Sequence, residues 1–115
     1  MSLVLAAFML ASQPAAPMPE HVLRFHYYRV VAFQARAREL HCEAGDLDRE
    51  LEQVRRRLNR RYGKDAFKPF APEPGGPGDC LILLRGYRSN LDGFRKDAEA
   101  ALNAPSPAAS TAPQS

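Results

Sequence analysis

Two groups of residues in this chain have types and spacings that could do chemistry. The first is the adjacent pair His41-Cys42, with Cys80 downstream and His26 upstream. A structural zinc ion asks for four nitrogen or sulfur ligands, usually paired as Cys-x₂₋₄-Cys or His-x₃₋₅-His. An adjacent His-Cys and a second cysteine 38 residues away do not supply that spacing. A redox-active dithiol usually places Cys-x-x-Cys at a helix N-terminus, and these cysteines are too far apart for that. We therefore expect no metal and no cofactor, and a Cys/His redox or metal protein ranks third among the readings. His41 reads as a helix C-terminal residue favoured by the dipole. The simplest use of two cysteines in an exported chain is one disulfide, Cys42–Cys80.

The second group is the run Arg55-Arg56-Arg57-Leu58-Asn59-Arg60-Arg61, a pattern typical of nucleic-acid or phosphate contacts. Its weight is reduced by two observations. Leu58 falls in the apolar stripe of an amphipathic helix, which leaves the arginines as its solvated remainder, with Glu52 four residues before Arg56. The whole chain also holds 16 Lys and Arg against 13 Asp and Glu, a net charge of only +3. Arginine outnumbers lysine 13 to 3 in a chain rich in alanine, proline and glycine, all residues with GC-rich codons. Codon usage explains that excess without a ligand. Binding of nucleic acid or another anionic surface in the cytoplasm, through Arg55, Arg56, Arg57, Arg60 and Arg61, is the alternative reading. No Ser/His/Asp or Cys/His constellation assembles, so no catalytic residues are expected and the chain does not read as an enzyme.

The elements that must position these groups are marked by charge and by proline. Every charged residue lies between Glu20 and Glu99. The neutral head contains Leu3–Ala11, a nine-residue apolar run followed by Ser12, Gln13 and prolines 14, 17 and 19. A membrane span needs about 20 apolar residues, whereas a signal-peptide core needs about 7 to 15. Residues 1–18 therefore read as a signal-like segment, although no Lys or Arg precedes the run and no Ala-x-Ala follows it. A start placed too far downstream would account for the missing basic residues. Gln13 stands where lipidation would need cysteine. The tail 104–115, APSPAASTAPQS, is low in complexity and reads as disordered.

Proline is missing from 20–68 and from 78–104, so helices belong there. We expect a domain over 19–103 with helices at about 20–42, 46–62 and 79–103. The first carries Leu23, Tyr27, Val30, Phe33, Ala37 and Leu40, with Val22, Phe25, Tyr28 and Val31 beside them, and so reads as the central helix. The second repeats Leu47, Leu51, Val54, Leu58 and Tyr62, with Asp46 as N-cap and Gly63 at its end. Its acids Asp46, Asp48, Glu50 and Glu52 sit in the first half and Arg55, Arg56, Arg57, Arg60 and Arg61 in the second, which suits the helix dipole. The third follows an Asp79 cap, with a seam of Cys80, Leu84, Tyr87, Leu91, Phe94, Ala98 and Ala101 and an outer ladder of Arg88, Asp92 and Lys96. Between the second and third lies a Pro/Gly-rich loop, 64–78, with Phe67 and Phe70 as anchors.

Pairing Cys42 with Cys80 constrains the topology. The second helix, about 26 Å long, separates the end of the first from the start of the third in a simple up-down-up bundle, whereas disulfide Cα atoms lie within about 7 Å. The loop must therefore climb back along the bundle, and at about 3.1 Å per residue it is long enough. The third helix should start beside the end of the first, antiparallel to it and parallel to the second.

Gly86 and Gly93 each cost a helix about 1 kcal/mol, which suggests a close neighbour there: the first helix or the loop, or else a partner. Leu81, Ile82 and Leu83 make the start of the third helix apolar all round. We expect the loop to cover them, with a protein partner through the Leu81–Leu83 and Gly86/Gly93 region as the other reading. The layout is similar to that of many small disulfide-stapled helical proteins of the bacterial envelope, a likeness of architecture that implies no activity. The expected class is all-α, a small three-helix bundle with one disulfide. The expected protein is an exported, periplasmic or secreted, non-enzymatic binding or structural module.

Overall fold

The computed structural model describes residues 18–69 and 73–104. The signal-like reading of 1–18 falls almost wholly outside the described residues, as do the tail from residue 105 and the anchor role of Phe70. Three helices are described: α1 over Glu20–Glu39, α2 over Gly45–Tyr62 and α3 over Cys80–Asn103. No strand occurs among the described residues, and none of their helices is long and apolar enough to cross a membrane.

Proline sets the start of α1. The Pro19 carbonyl accepts from the N–H groups of Val22 and Leu23, and proline has no N–H of its own to leave unpaired. At its other end α1 stops at Glu39, three residues before the expected limit. His41 takes the left-handed conformation, φ 57°. The Cys42 N–H then returns to the Ala37 carbonyl at 2.8 Å, and the His41 N–H to Arg38 at 3.2 Å. These paired bonds are those of a Schellman turn. His41 is thus outside the helix, in the position that terminates it, and Cys42 is the first residue after the turn.

The starts of α2 and α3 differ. Asp46 does not cap α2: Ala44 is the N-cap and makes no side-chain cap bond. Asp79 does cap α3, with its Oδ1 accepting from the Ile82 N–H at 3.0 Å. At the far end of α2, Gly63 lies at φ 130°, a backbone that side chains with a Cβ rarely adopt.

Cys42 and Cys80 form a disulfide with Cα atoms 5.6 Å apart. The contacts along α3 show the resulting directions. On α1, His26 faces Asp97, Tyr27 packs on Phe94, and Phe33 lies against Gly86. Residue numbers rise on one helix as they fall on the other, so the two are antiparallel. On α2, Asp48 meets Tyr87, Glu50 meets Arg88 and Arg57 meets Glu99. Here the numbers rise together, so α2 and α3 run parallel.

The central helix is α3, which packs along both of the others, whereas α1 and α2 touch little. The expectation that α1 is central is corrected by what covers its second apolar side. That cover is chain between α2 and α3. Phe67 is fully buried against Tyr27, the Gly75 N–H donates to the Ala32 carbonyl at 3.2 Å, and Gly78 lies near Arg36. Partner positions on α1 advance from 27 to 36 as this chain advances from 67 to 78.

The core runs through Leu23, Tyr27, Val30 and Val31 of α1, Leu47, Leu51, Val54 and Leu58 of α2, and Leu83, Tyr87, Leu91, Phe94, Ala98 and Ala101 of α3. Leu83, not Leu84, heads the α3 seam; Leu84 is only half-buried. Three helices meet around Asp48. Its Oδ1 accepts from the Tyr87 hydroxyl at 2.7 Å and from Gln34 Nε2 at 3.2 Å. Burial, reinforced by that carboxylate, pushes the Tyr87 hydroxyl pKa far above that of an ordinary tyrosine. Burial does the same to Tyr27, whose hydroxyl donates to the Lys68 carbonyl at 2.9 Å.

Candidate functional site

The five arginines of the α2 run do not share one face. A helix advances 100° per residue, so residues 55, 56 and 57 point in three directions, and 60 and 61 follow 56 and 57 one turn later. Arg55 turns toward the chain after α2, where it pairs with Glu52 and reaches the Phe67 carbonyl at 3.5 Å. Its bond to Glu52 raises the guanidinium pKa and lowers that of the carboxylate. Arg57 turns toward α3 and pairs with Glu99, whose carboxyl it holds below the usual range. Arg61 donates to the Ala104 carbonyl at 2.6 Å and the Leu102 carbonyl at 3.5 Å, closing the C-terminal end of α3. These three arginines hold the fold together.

Arg56 and Arg60 face outward. Arg56 reaches Glu52 at 3.1 Å, but that carboxylate is shared with Arg55. Arg60 makes no hydrogen bond or ion pair among the described residues, and the same is true of Lys64. With Asn59 and Gly63 these side chains line an open recess of about 550 Å³. Sequence reasoning missed Asn59 and Lys64. The signal was there: 56, 59, 60, 63 and 64 follow the i, i+3, i+4, i+7, i+8 spacing of one helix face, but Asn59 stands inside the arginine run and Lys64 beyond the helix end.

The disulfide end is organised differently. Cys42 and Cys80 spend their sulfurs on each other, so neither offers a thiolate to a metal or a substrate in this state. No group of three or more His, Cys, Asp or Glu side chains among the described residues is placed to hold a metal ion. Leu83 is fully buried, yet Leu81 and Ile82 are 62% and 56% exposed, so the expected cover of the α3 start extends to Leu83 alone. The cause is local: Leu83 lies against Gly76, while no such contact covers Leu81 or Ile82 among the described residues.

The two helix glycines also part company. A Cβ at Gly86 would lie 3.0 Å from the Phe33 ring, so α1 is the close neighbour there; at Gly93 nothing comes within 4 Å. The outer ladder of α3 is tied to α2, with Arg88 bonding both Glu50 and Asp92 and Arg95 also bonding Glu50. The Arg88 bond is the main reason the Glu50 carboxyl lies below its usual range. The chain matches no known protein-family model, no curated protein and no solved structure.

Proposed function

We propose that this protein is an exported, non-enzymatic helical module that works by binding or by holding structure, in the periplasm or after secretion. The observation that carries the reading is the Cys42–Cys80 disulfide, which joins the end of α1 to the start of α3. Such bonds persist in oxidising compartments and are rare in a reducing cytosol. In the chain-entropy view, closing a loop of 38 residues stabilises the fold by about 4 kcal/mol, a large share of the stability of a small domain. The apolar Leu3–Ala11 run supports the same compartment. The apolar surface this reading offers to a protein partner is the exposed pair Leu81 and Ile82. Leu83 and Gly86 are already occupied within the chain.

A cytoplasmic binder of nucleic acid is the second reading. Its arginine face is weakened by the internal duties of Arg55, Arg57 and Arg61. Intact mass of the protein from its native host separates the two. The first predicts loss of the N-terminal segment and a mass two hydrogens below that of the dithiol. An uncut, reduced chain overturns it and favours the second.

A further inference from the structure

We infer that the recess at the C-terminal end of α2, framed by Arg56, Arg60 and Lys64, binds a phosphate group. From residue 52 to residue 69 the chain carries seven Lys or Arg against two Asp or Glu, while the remainder of the chain is net acidic. The excess cation of the molecule is therefore concentrated at the end opposite the disulfide. Arg55, Arg57 and Arg61 are engaged with Glu52, Glu99 and the carbonyls at the end of α3. Of the four that remain, Arg56, Arg60 and Lys64 are directed at one place, and Lys68 lies outside it.

Arg56 and Arg60 stand one helical turn apart, and Lys64 follows just past Gly63, all lining the same recess of about 550 Å³. No carboxylate among the described residues lines it. The partial negative charge at a helix C-terminus, about half an elementary charge, opposes an anion here. Three full cations outweigh it, even with Arg56 shared with Glu52. Arginine forks match phosphate oxygens in pairs, and lysine adds a point charge. The floor is firm, because the Asn59 amide is fixed by two hydrogen bonds to the Phe67 backbone. The recess is open and shallow, so it takes the phosphate of a larger molecule at its edge, either a soluble phosphate ester or a phospholipid headgroup. The inference stands whether or not the chain is exported.

The test uses the full oxidised chain. Backbone amide resonances are followed while inorganic pyrophosphate is added. In parallel, the protein is sedimented with vesicles of phosphatidylcholine alone and of phosphatidylcholine with phosphatidylglycerol. Saturable shifts concentrated at residues 56–64 are expected. The double variant Arg60→Gln, Lys64→Gln should weaken binding by about tenfold or more, as charge-assisted bonds are lost, while Arg85→Gln near the disulfide should leave it unchanged. Both are exposed positions, so folding is not at stake, and circular dichroism checks it. Dependence on Arg60 and Lys64 seen with pyrophosphate points to a soluble ester. The same dependence confined to phosphatidylglycerol vesicles points to a headgroup. Binding that neither probe ties to these two residues, or that Arg85→Gln weakens as much as the double variant, overturns the proposal.

Discussion

Asn59 holds Phe67 with both arms of its side-chain amide: Oδ1 accepts from the Phe67 N–H at 2.8 Å, and Nδ2 donates to the Phe67 carbonyl at 3.2 Å. A helix side chain thereby does for the departing chain what a strand partner does in a sheet. It fixes the one residue of that chain whose ring fills the space between Tyr27 and Tyr62. Two consequences can be measured by denaturant unfolding. Phe67→Ala should cost about 3–5 kcal/mol, the usual range for removing a buried ring. Asn59→Ala should cost about 1–3 kcal/mol, because it leaves the Phe67 N–H without its partner. If Asn59→Ala costs less than about 0.5 kcal/mol, water serves the Phe67 backbone equally well and the clamp is incidental.

His41 sits in the left-handed conformation that ends α1, a position where glycine meets no Cβ penalty. His41→Gly should therefore raise stability by roughly 1 kcal/mol, the usual scale of the left-handed strain. Thermal unfolding of the oxidised protein checks this. A lower melting temperature would mean that the histidine ring contributes more than its backbone costs.

The legible parts of this fold were those set by covalent or steric constraint. Pro19 fixes the start of α1, Asp79 the start of α3, and the two cysteines require α3 to begin beside the end of α1. What escaped depended on neighbours that a helical period cannot reveal. Leu83 and Leu84 fit the α3 seam equally well by spacing, and the Gly76 approach selects Leu83. The arginines of α2 looked like one basic face, because their partners Glu99, Phe67 and Ala104 come from distant chain. Asn59 looked like filler between arginines until Phe67 was placed beside it. The apolar breadth of α1 predicts contact on two sides, and one of its two covers is irregular chain, not a helix.

The glycines of α3 give a paired prediction. Gly93 has open space around it, so Gly93→Ala should gain about 1 kcal/mol from helix propensity alone. At Gly86 the same gain is opposed, since a Cβ would stand 3.0 Å from the Phe33 ring. Gly76 approaches the same ring, at Cδ1 and Cε1. Gly86→Ala should therefore be neutral or destabilising, and its difference from Gly93→Ala should exceed about 1 kcal/mol. Equal stabilisation by both variants would show that Phe33 moves aside.

Acid should weaken the fold, at the α2–α3 contact through Glu50 and Glu99 and within α2 through Glu52. Glu50, Glu52 and Glu99 are each held below the ordinary carboxylate value by a bonded arginine, respectively Arg88, Arg55 and Arg57. Each binds its proton less readily folded than unfolded. Their contribution is therefore present above the unfolded value of about 4.5 and is lost as pH falls through the lowered folded values. Because these groups are solvent-accessible, the slope should be shallow and should flatten further in high salt. Urea midpoints from pH 7 to pH 3, at low and high salt, test this. Glu50→Gln should remove part of the acid limb, and a midpoint that rises on acidification would contradict the pairing.

The disulfide joins a chain reversal to a helix start, so its loss should be felt unequally along the molecule. Cys42 follows the Schellman turn of α1, whose backbone bonds survive reduction, whereas Cys80 is the first residue of α3, held there by the Asp79 cap and the packing of Leu83. The Cys42→Ser, Cys80→Ser double variant should lose up to about 4 kcal/mol overall. Amide exchange in that variant should quicken most from Glu73 through Leu84, with Phe67 and the α2–α3 contact at Glu99 less affected. If exchange accelerates uniformly instead, the three helices unfold as one unit and the bond acts only on the unfolded chain. Protection that is unchanged throughout would show that packing around Leu83 and Tyr87 holds α3 in place unaided.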